Sequence, residues 1–161
     1  MNGPLEKAYA QYYSKLDLVS LPLICWDLFA SHDYDLQQYN ILQKDWKSKE
    51  SFRNIVHQSN REIIITDPQQ QIVFATQGIY QMNGYRPFEI IGKSPKIFQG
   101  ELTSSETRIR IRQAIQNQLP FKELVLNYKK DGSTYQCEIE AYPKFNKEGK
   151  LLNYIALEKA V

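Results

Sequence analysis

Few residues of this chain stand at spacings that support chemistry. The two cysteines, Cys25 and Cys137, are far apart in sequence. Two thiols cannot build a disulfide framework or a four-cysteine zinc site within one chain. His32 and His57 are isolated, with no cysteine or glutamate at ligand spacing, so they read as exposed or packed residues rather than ligands or bases. Glu138 and Glu140 share one face of a strand, but nothing beside them supplies an acid/base partner, and a polar sheet face is the reading. Arg108, Arg110 and Arg112 could hold an anion. Arg108 and Arg112 share a helix face and Arg110 does not. A solvated helix surface is the reading for Arg108 and Arg110. The acidic stretch 27–35 lacks calcium-loop spacing. No phosphate-binding glycine loop and no nucleophile elbow occurs. No catalytic residue and no metal ligand is assigned, and an enzyme is not expected.

The elements that would position these residues change character near Gln58–Asn60. Before that point the pattern is helical and nearly free of glycine. Leu5, Ala8 and Tyr12 suggest a helix over Pro4–Lys15. A second helix starts around Pro22 and continues through Leu36, Tyr39 and Leu42. A third, capped by Ser48 or Ser51, places Phe52, Ile55 and Val56 on one face. After Asn60 the chain reads as strands and turns. Glu62–Thr66 and Gln71–Ala75 form a hairpin across Asp67-Pro68. Short helical turns follow over 78–84 and 86–92. A longer helix spans Thr103–Gln118, with Thr103 and Glu106 as a capping box. Three strands, 121–129, 134–145 and 151–159, are joined by turns at Asp131-Gly132 and Glu148-Gly149. Strands interrupted by helices imply an α+β fold with an antiparallel sheet. The expected organisation is an N-terminal helical extension or cap over 1–58 and a sheet domain over 59–161.

Period-two alternation assigns the sheet faces. Tyr135, Cys137, Ile139 and Ala141 lie on the apolar face of their strand, and Gln136, Glu138 and Glu140 on the other. Glu158 shares a face with Leu152, Tyr154 and Ala156. It is a candidate inward carboxylate, the alternative being a solvated strand end. If Asn127 and Ala156 point inward, then Leu124, Leu126, Tyr128, Ile155 and Leu157 point outward. A stripe of that size needs a cover, either the N-terminal helices or a second protomer.

Composition bounds the function. Hydrophobic residues make up 42% of the chain and charged residues 24%, enough for a packed core. A net charge of +2 implies neither a nucleic-acid nor a membrane partner through bulk electrostatics. No export signal and no membrane-length apolar run is read, so a cytoplasmic protein with reduced thiols is expected.

Several segments together resemble a PAS domain, and more narrowly its light-oxygen-voltage (LOV) branch. The resemblance covers about Arg61–Val161. It is carried by residues 72–78, by Met82-Asn83-Gly84-Tyr85 and by Glu89-Ile90-Ile91-Gly92. Ser94-Pro95-Lys96-Ile97-Phe98-Gln99-Gly100 is similar in register to the branch's flavin motif, and Asn127-Tyr128-Lys129-Lys130-Asp131-Gly132 to its hairpin. The resemblance implies a five-stranded antiparallel sheet with short helices over one face. In the branch, flavin mononucleotide (FMN) is bound and a cysteine forms a covalent adduct in light. Pro95 stands at that cysteine's position, Ser94 replaces the motif asparagine, and Lys96 replaces a phosphate-contacting arginine. Gln99, Arg112 and Asn127 match the family's residues. Cys137 replaces a ring-contacting amide, and Glu158 replaces the glutamine that senses flavin protonation. Cysteine is a poor hydrogen-bond partner, and an ionised glutamate only accepts.

The expectation is therefore a sensory or interaction module without adduct photochemistry and without a cofactor. Its candidate pocket comprises Phe74, Asn83, Ile97, Gln99, Arg112, Asn127, Cys137, Ile139 and Glu158. A homodimer, an unidentified signalling partner and a possible small-molecule ligand are expected. The alternatives are an FMN-binding redox or light sensor lacking the photoactive cysteine, and a dimerisation module whose cavity is filled by side chains.

Overall fold

In the computed structural model, the backbone is described for residues 23–161 and the side chains for 33–161. The expected helix at Pro4–Lys15 lies outside the described residues. By compactness the chain divides into 1–30 and 31–161, and the second unit holds the sheet.

Helix α1 runs Leu23–Leu42, as the helical spacing of Leu36, Tyr39 and Leu42 implies, and ends in a 3-10 turn at Gln43–Asp45. Ser51 Oγ accepts from the Asn54 amide and starts the next helical segment, which closes as a π turn over Asn54–Gln58. The hairpin β1 (Glu62–Thr66) and β2 (Ile72–Ala75) follows. Then come α2 (Ile79–Asn83), α3 (Pro87–Ile90), a 3-10 turn at Pro95–Phe98 and α4 (Ser105–Gln116). The meander β3 (Phe121–Tyr128), β4 (Thr134–Phe145) and β5 (Leu151–Ala160) completes the chain. The strands form one antiparallel sheet in the order β2-β1-β5-β4-β3. The helices between β2 and β3 carry the chain from one sheet edge to the other, so β5 returns to the centre beside β1.

The sheet separates two cores. On the outer face Ile63, Ile65, Phe74 and Ile155 pack with Tyr39, Trp46, Phe52 and Ile55. On the inner face Ile64, Ile72 and Ala75 pack with Ile79, Met82, Ile90 and Phe98. Because β1 is apolar on both faces, its sequence shows no alternation. Tyr39 is fully buried against Phe52, Trp46 and Phe74, at ring centroid distances of 5.3, 6.0 and 6.2 Å. Trp46 Nε1 donates to Asn153 Oδ1 at 2.9 Å, and Asn153 Nδ2 donates to the Thr66 carbonyl at 3.2 Å. These bonds fix the N-terminal segment to the two central strands.

Four sequence-based placements change. Phe74 pairs with Ile65 and shares its outer face, because an irregularity in the β1–β2 register lets Val73 slip between Ile72 and Phe74. Leu152 packs with the outer cluster instead of sharing a face with Tyr154. Lys144 opposes Asn153 and Phe145 opposes Leu151, which leaves Leu152 as the extra residue of a bulge. Helix α4 is capped by Ser104, whose Oγ accepts from the Thr107 amide at 3.3 Å. Thr103 is instead buried, accepting from the Gly100 amide at 3.0 Å and donating to the Leu126 carbonyl at 2.7 Å.

The fourth change is in the outer stripe, at Tyr128, while the cover over the stripe is one of the two expected, the N-terminal helical segment. Ile155 and Leu157 are covered by the chain's own segment that carries Tyr39, Trp46 and Phe52, so they present no free interface while it is docked. Tyr128 turns toward the 100–102 loop, where its hydroxyl accepts from the Leu102 amide at 3.0 Å. Leu126 is half-buried and Leu124 is 54% exposed.

Candidate functional site

Between the inner sheet face and α4 lies a cavity of about 670 Å3, within the usual size range of small-molecule sites. Ile64, Ile139, Ala141 and Ala156 form its floor on three strands. Ile111 and Ile115 oppose them from α4, and Phe98 from the 3-10 turn. Ala141 and Ala156 are direct cross-strand neighbours, so the floor is lowest there. Tyr154 closes one side, its hydroxyl donating to the Ile115 carbonyl at 3.4 Å.

Polar side chains also line this slot, Gln99, Asn127 and Glu158 among them. Gln99 follows the 3-10 turn, Asn127 sits on β3 and Glu158 on β5. Asn127 and Glu158 are buried. Glu158 lies cross-strand from Ile139 on one side and from Glu62 on the other. Burial pushes its carboxyl up to about 7. The Cys137 thiol, 3.7 Å from Oε2, opposes the shift and the Glu62 charge adds to it. No cation is among these influences. Lys96 and Arg112, both exposed, and the half-buried Arg108 also line the cavity.

Arg108 corrects the solvated-surface reading. It lines the cavity, donates from Nη2 to the Gly100 carbonyl, and buries an Nε that has no partner. Arg110 fits that reading, paired with Glu123 at 2.7 Å on the opposite side of the helix. The signal for Arg108 was its spacing: 108, 111, 112 and 115 fall on one helical face, and all four line the cavity.

The other expected pocket residues lie outside the lining. Phe74 is across the sheet. Ile97 packs beside the inner core. Asn83 is buried and its Oδ1 accepts from the Tyr85 amide at 3.1 Å. Cys137 is fully buried, and its thiol is pushed strongly upward by burial and by the Glu158 charge, so it stays protonated. Among the described residues no cysteine lines the cavity; Pro95 does. Among the described residues no cluster of histidine, cysteine and carboxylate side chains is placed to hold a metal ion. No helix among them is long and apolar enough to cross a membrane.

A path leads from the cavity to α1. The Glu62 carboxyl accepts from Thr76 Oγ1 and lies so close to Gly78 that a Cβ there would overlap it. Burial raises the Glu62 carboxyl, against the Thr76 hydrogen bond. The next amide, Gln77 N–H, donates to Asp35 Oδ2 at 2.8 Å. Asp35 belongs to α1. Burial pushes it up to about 6, against the Gln77 hydrogen bond and with the help of the Glu62 charge. Its second oxygen is buried without a partner.

Comparison with known proteins supplies the family. The sequence model of the PAS domain matches residues 60–159. The chain belongs to the PAS domain family. This PAS domain is 35% identical over 114 residues to Protein TWIN LOV 1 of Arabidopsis thaliana, across 68% of this chain and 28% of that protein. It is 31% identical over 102 residues to a blue-light photoreceptor of Listeria monocytogenes, across 62% of this chain and 40% of that one. The chain thus spans well under half of these relatives. A solved LOV domain studied with a flavin analogue superposes with a TM-score of 0.64 at 26% identity, covering 70% of this chain and 86% of that one.

A flavin is the group this kinship implies. The cavity volume, Gln99, Asn127 and the basic rim suit it. The sheet side does not. Cys137 is not part of the lining, and Glu158 sets a buried carboxyl, met by the weak Cys137 thiol donor at 3.7 Å, where the branch has an amide. When ionised that carboxyl offers no donor, and when protonated it offers one where an amide offers two. The loop and helix side of the cavity thus suits a flavin, and the sheet side suits it less well.

Proposed function

We propose that this PAS domain is a non-enzymatic sensory module that binds a small ligand in the cavity and signals without adduct photochemistry. The observation that carries this reading is the cavity itself. About 670 Å3 of space is lined by polar groups that include the buried Asn127 and Glu158, and a module whose cavity is filled by its own side chains would have neither the space nor a buried carboxyl met only by a weak thiol donor. Pro95 has no thiol, which is the reason adduct chemistry is left out.

The signal is a population shift. Strands β1 and β5 carry cavity residues on one face, Ile64, Ala156 and Glu158, and residues under the N-terminal segment on the other, Ile63, Ile65 and Ile155. A ligand that changes the Glu158 environment acts on Glu62, and through the Thr76–Gln77 corner on Asp35 of α1. Release of α1 would uncover Ile155 and Leu157, which then pair with a second copy or with a signalling partner in the cytoplasm.

The test is an absorption spectrum of freshly purified protein followed by native mass spectrometry. Expected are no structured blue band and a bound mass of a few hundred daltons that an Ala156→Phe variant lacks. A flavin band would overturn the expectation of a ligand other than flavin. A ligand-free mass, with no shift in melting temperature across a metabolite library, would overturn ligand sensing.

A further inference from the structure

We infer that the cavity takes a planar heterocycle with two adjacent N–H donors and an anionic tail, the donor edge read by Glu158 and the tail by Lys96, Arg108 and Arg112. Guanine nucleotides and phosphorylated pterins have this chemistry. The inference rests on the reading of the cavity as a ligand site and names the ligand class.

The carboxyl end carries most of the argument. Glu158 is 3% exposed and lines the cavity. Its protein contacts leave it poorly satisfied: a protonated thiol at 3.7 Å is a weak donor, and Glu62 repels it. A carboxyl in that position must hold a proton or find donors. A flavin's ring edge offers mostly acceptors beside a single imide N–H. A 2-amino-pyrimidinone edge offers two parallel N–H groups, the geometry a carboxylate accepts in bidentate fashion. Gln99 and Asn127, amides that both donate and accept, remain for the ring's carbonyl and ring nitrogens.

The walls call for a flat ring. Ala141 and Ala156 leave a shallow floor, and Ile111 and Ile115 face them from α4. At the open side Arg108 and Arg112 stand four residues apart on one helical face, with Lys96 across from them and Glu101 as the acidic neighbour. Like charges at that spacing repel, and Arg108 Nε has no partner. An anionic group supplies both what the repulsion and the orphaned donor lack.

The test is calorimetric titration of the full chain with GMP, guanosine and FMN. Expected is the order GMP tighter than FMN, with guanosine at least about tenfold weaker than GMP for lack of the tail. Glu158→Gln should weaken GMP at least about tenfold and reverse the order against FMN. A second readout guards against a variant that fails to fold. Below the Glu158 pKa the carboxyl must lose a proton to accept two N–H groups, so wild-type affinity for GMP should rise about fivefold from pH 6 to pH 7, about tenfold by pH 8, and then level. The groups facing Glu158 are Glu62 from β1 and Cys137 and Tyr135 from β4, with Arg108 and Arg112 across the cavity. In Glu158→Gln that rise should vanish, which separates it from titration of the nucleotide. FMN binding tighter than GMP in the wild type would overturn the inference, as would a flat pH profile. A copurified ligand of other chemistry would sink the inference and leave the ligand-sensing reading standing. Failure to bind GMP would sink the inference, and a ligand-free mass with no melting shift across the metabolite library would sink both.

Discussion

Asp35 offers a direct measure of how α1 is held. Its carboxyl is buried between the Gln77 amide and the Glu62 charge, with one oxygen unpartnered. Folding raises it from 3.8 to about 6. The folded state therefore holds the proton more tightly than the unfolded state. Stability from this group is intact below about pH 4 and falls as pH rises toward 6, then stays level. A shift of about two units corresponds to a loss of about 3 kcal/mol at most. Asp35→Asn keeps an oxygen for the Gln77 amide and cannot ionise. It gives up a charge-assisted hydrogen bond, which offsets about 1 kcal/mol of the gain. At neutral pH the variant should thus be more stable than wild type by about 1–2 kcal/mol, and near pH 4 no more stable. Urea denaturation of both proteins at several pH values between 4 and 7.5 reads this difference. Taking the difference cancels the carboxylates remote from Asp35, including Glu123, Glu138 and Glu140, which ion pairs hold low. Parallel stability curves across that range would refute the reasoning, because they would mean that Asp35 stays solvated in the native state.

Three further outcomes follow from packing. Tyr39→Ala should cost about 3–5 kcal/mol in denaturant unfolding, since it empties the centre of the outer core, and it should raise amide exchange of α1 more than that of β4. Ser104→Ala should cost about 1 kcal/mol, while Glu106→Ala should change melting by much less, because the cap is Ser104 and not a Thr103–Glu106 box. Gly100→Ala should cost about 1–3 kcal/mol by calorimetry, because its Cβ would overlap the Tyr128 ring; a neutral effect would mean that Tyr128 stands elsewhere in solution.

Much of this architecture was written in local sequence. Asp131-Gly132 and Glu148-Gly149 place positive φ at the glycines, 86° and 80°, and so fix both meander turns. Alternation along β4 and β5 put Cys137 and Glu158 on the inner face without any tertiary information, and both are buried there. The helical spacing of Leu36, Tyr39 and Leu42 marked the stripe that covers the sheet. What local pattern could not carry was anything set by a partner strand or a distant loop. The two bulges that turned Phe74 and Leu152 outward exist only in register with β1 and β4. The choice of Ser104 over Thr103 as cap depends on Gly100 and Leu126 claiming the Thr103 hydroxyl. Arg108 became a cavity residue because α4 lies across the sheet on that face. Residue types and periods determine which face a side chain takes; what that face meets is decided by elements distant in sequence, through packing and hydrogen bonds that form only on folding.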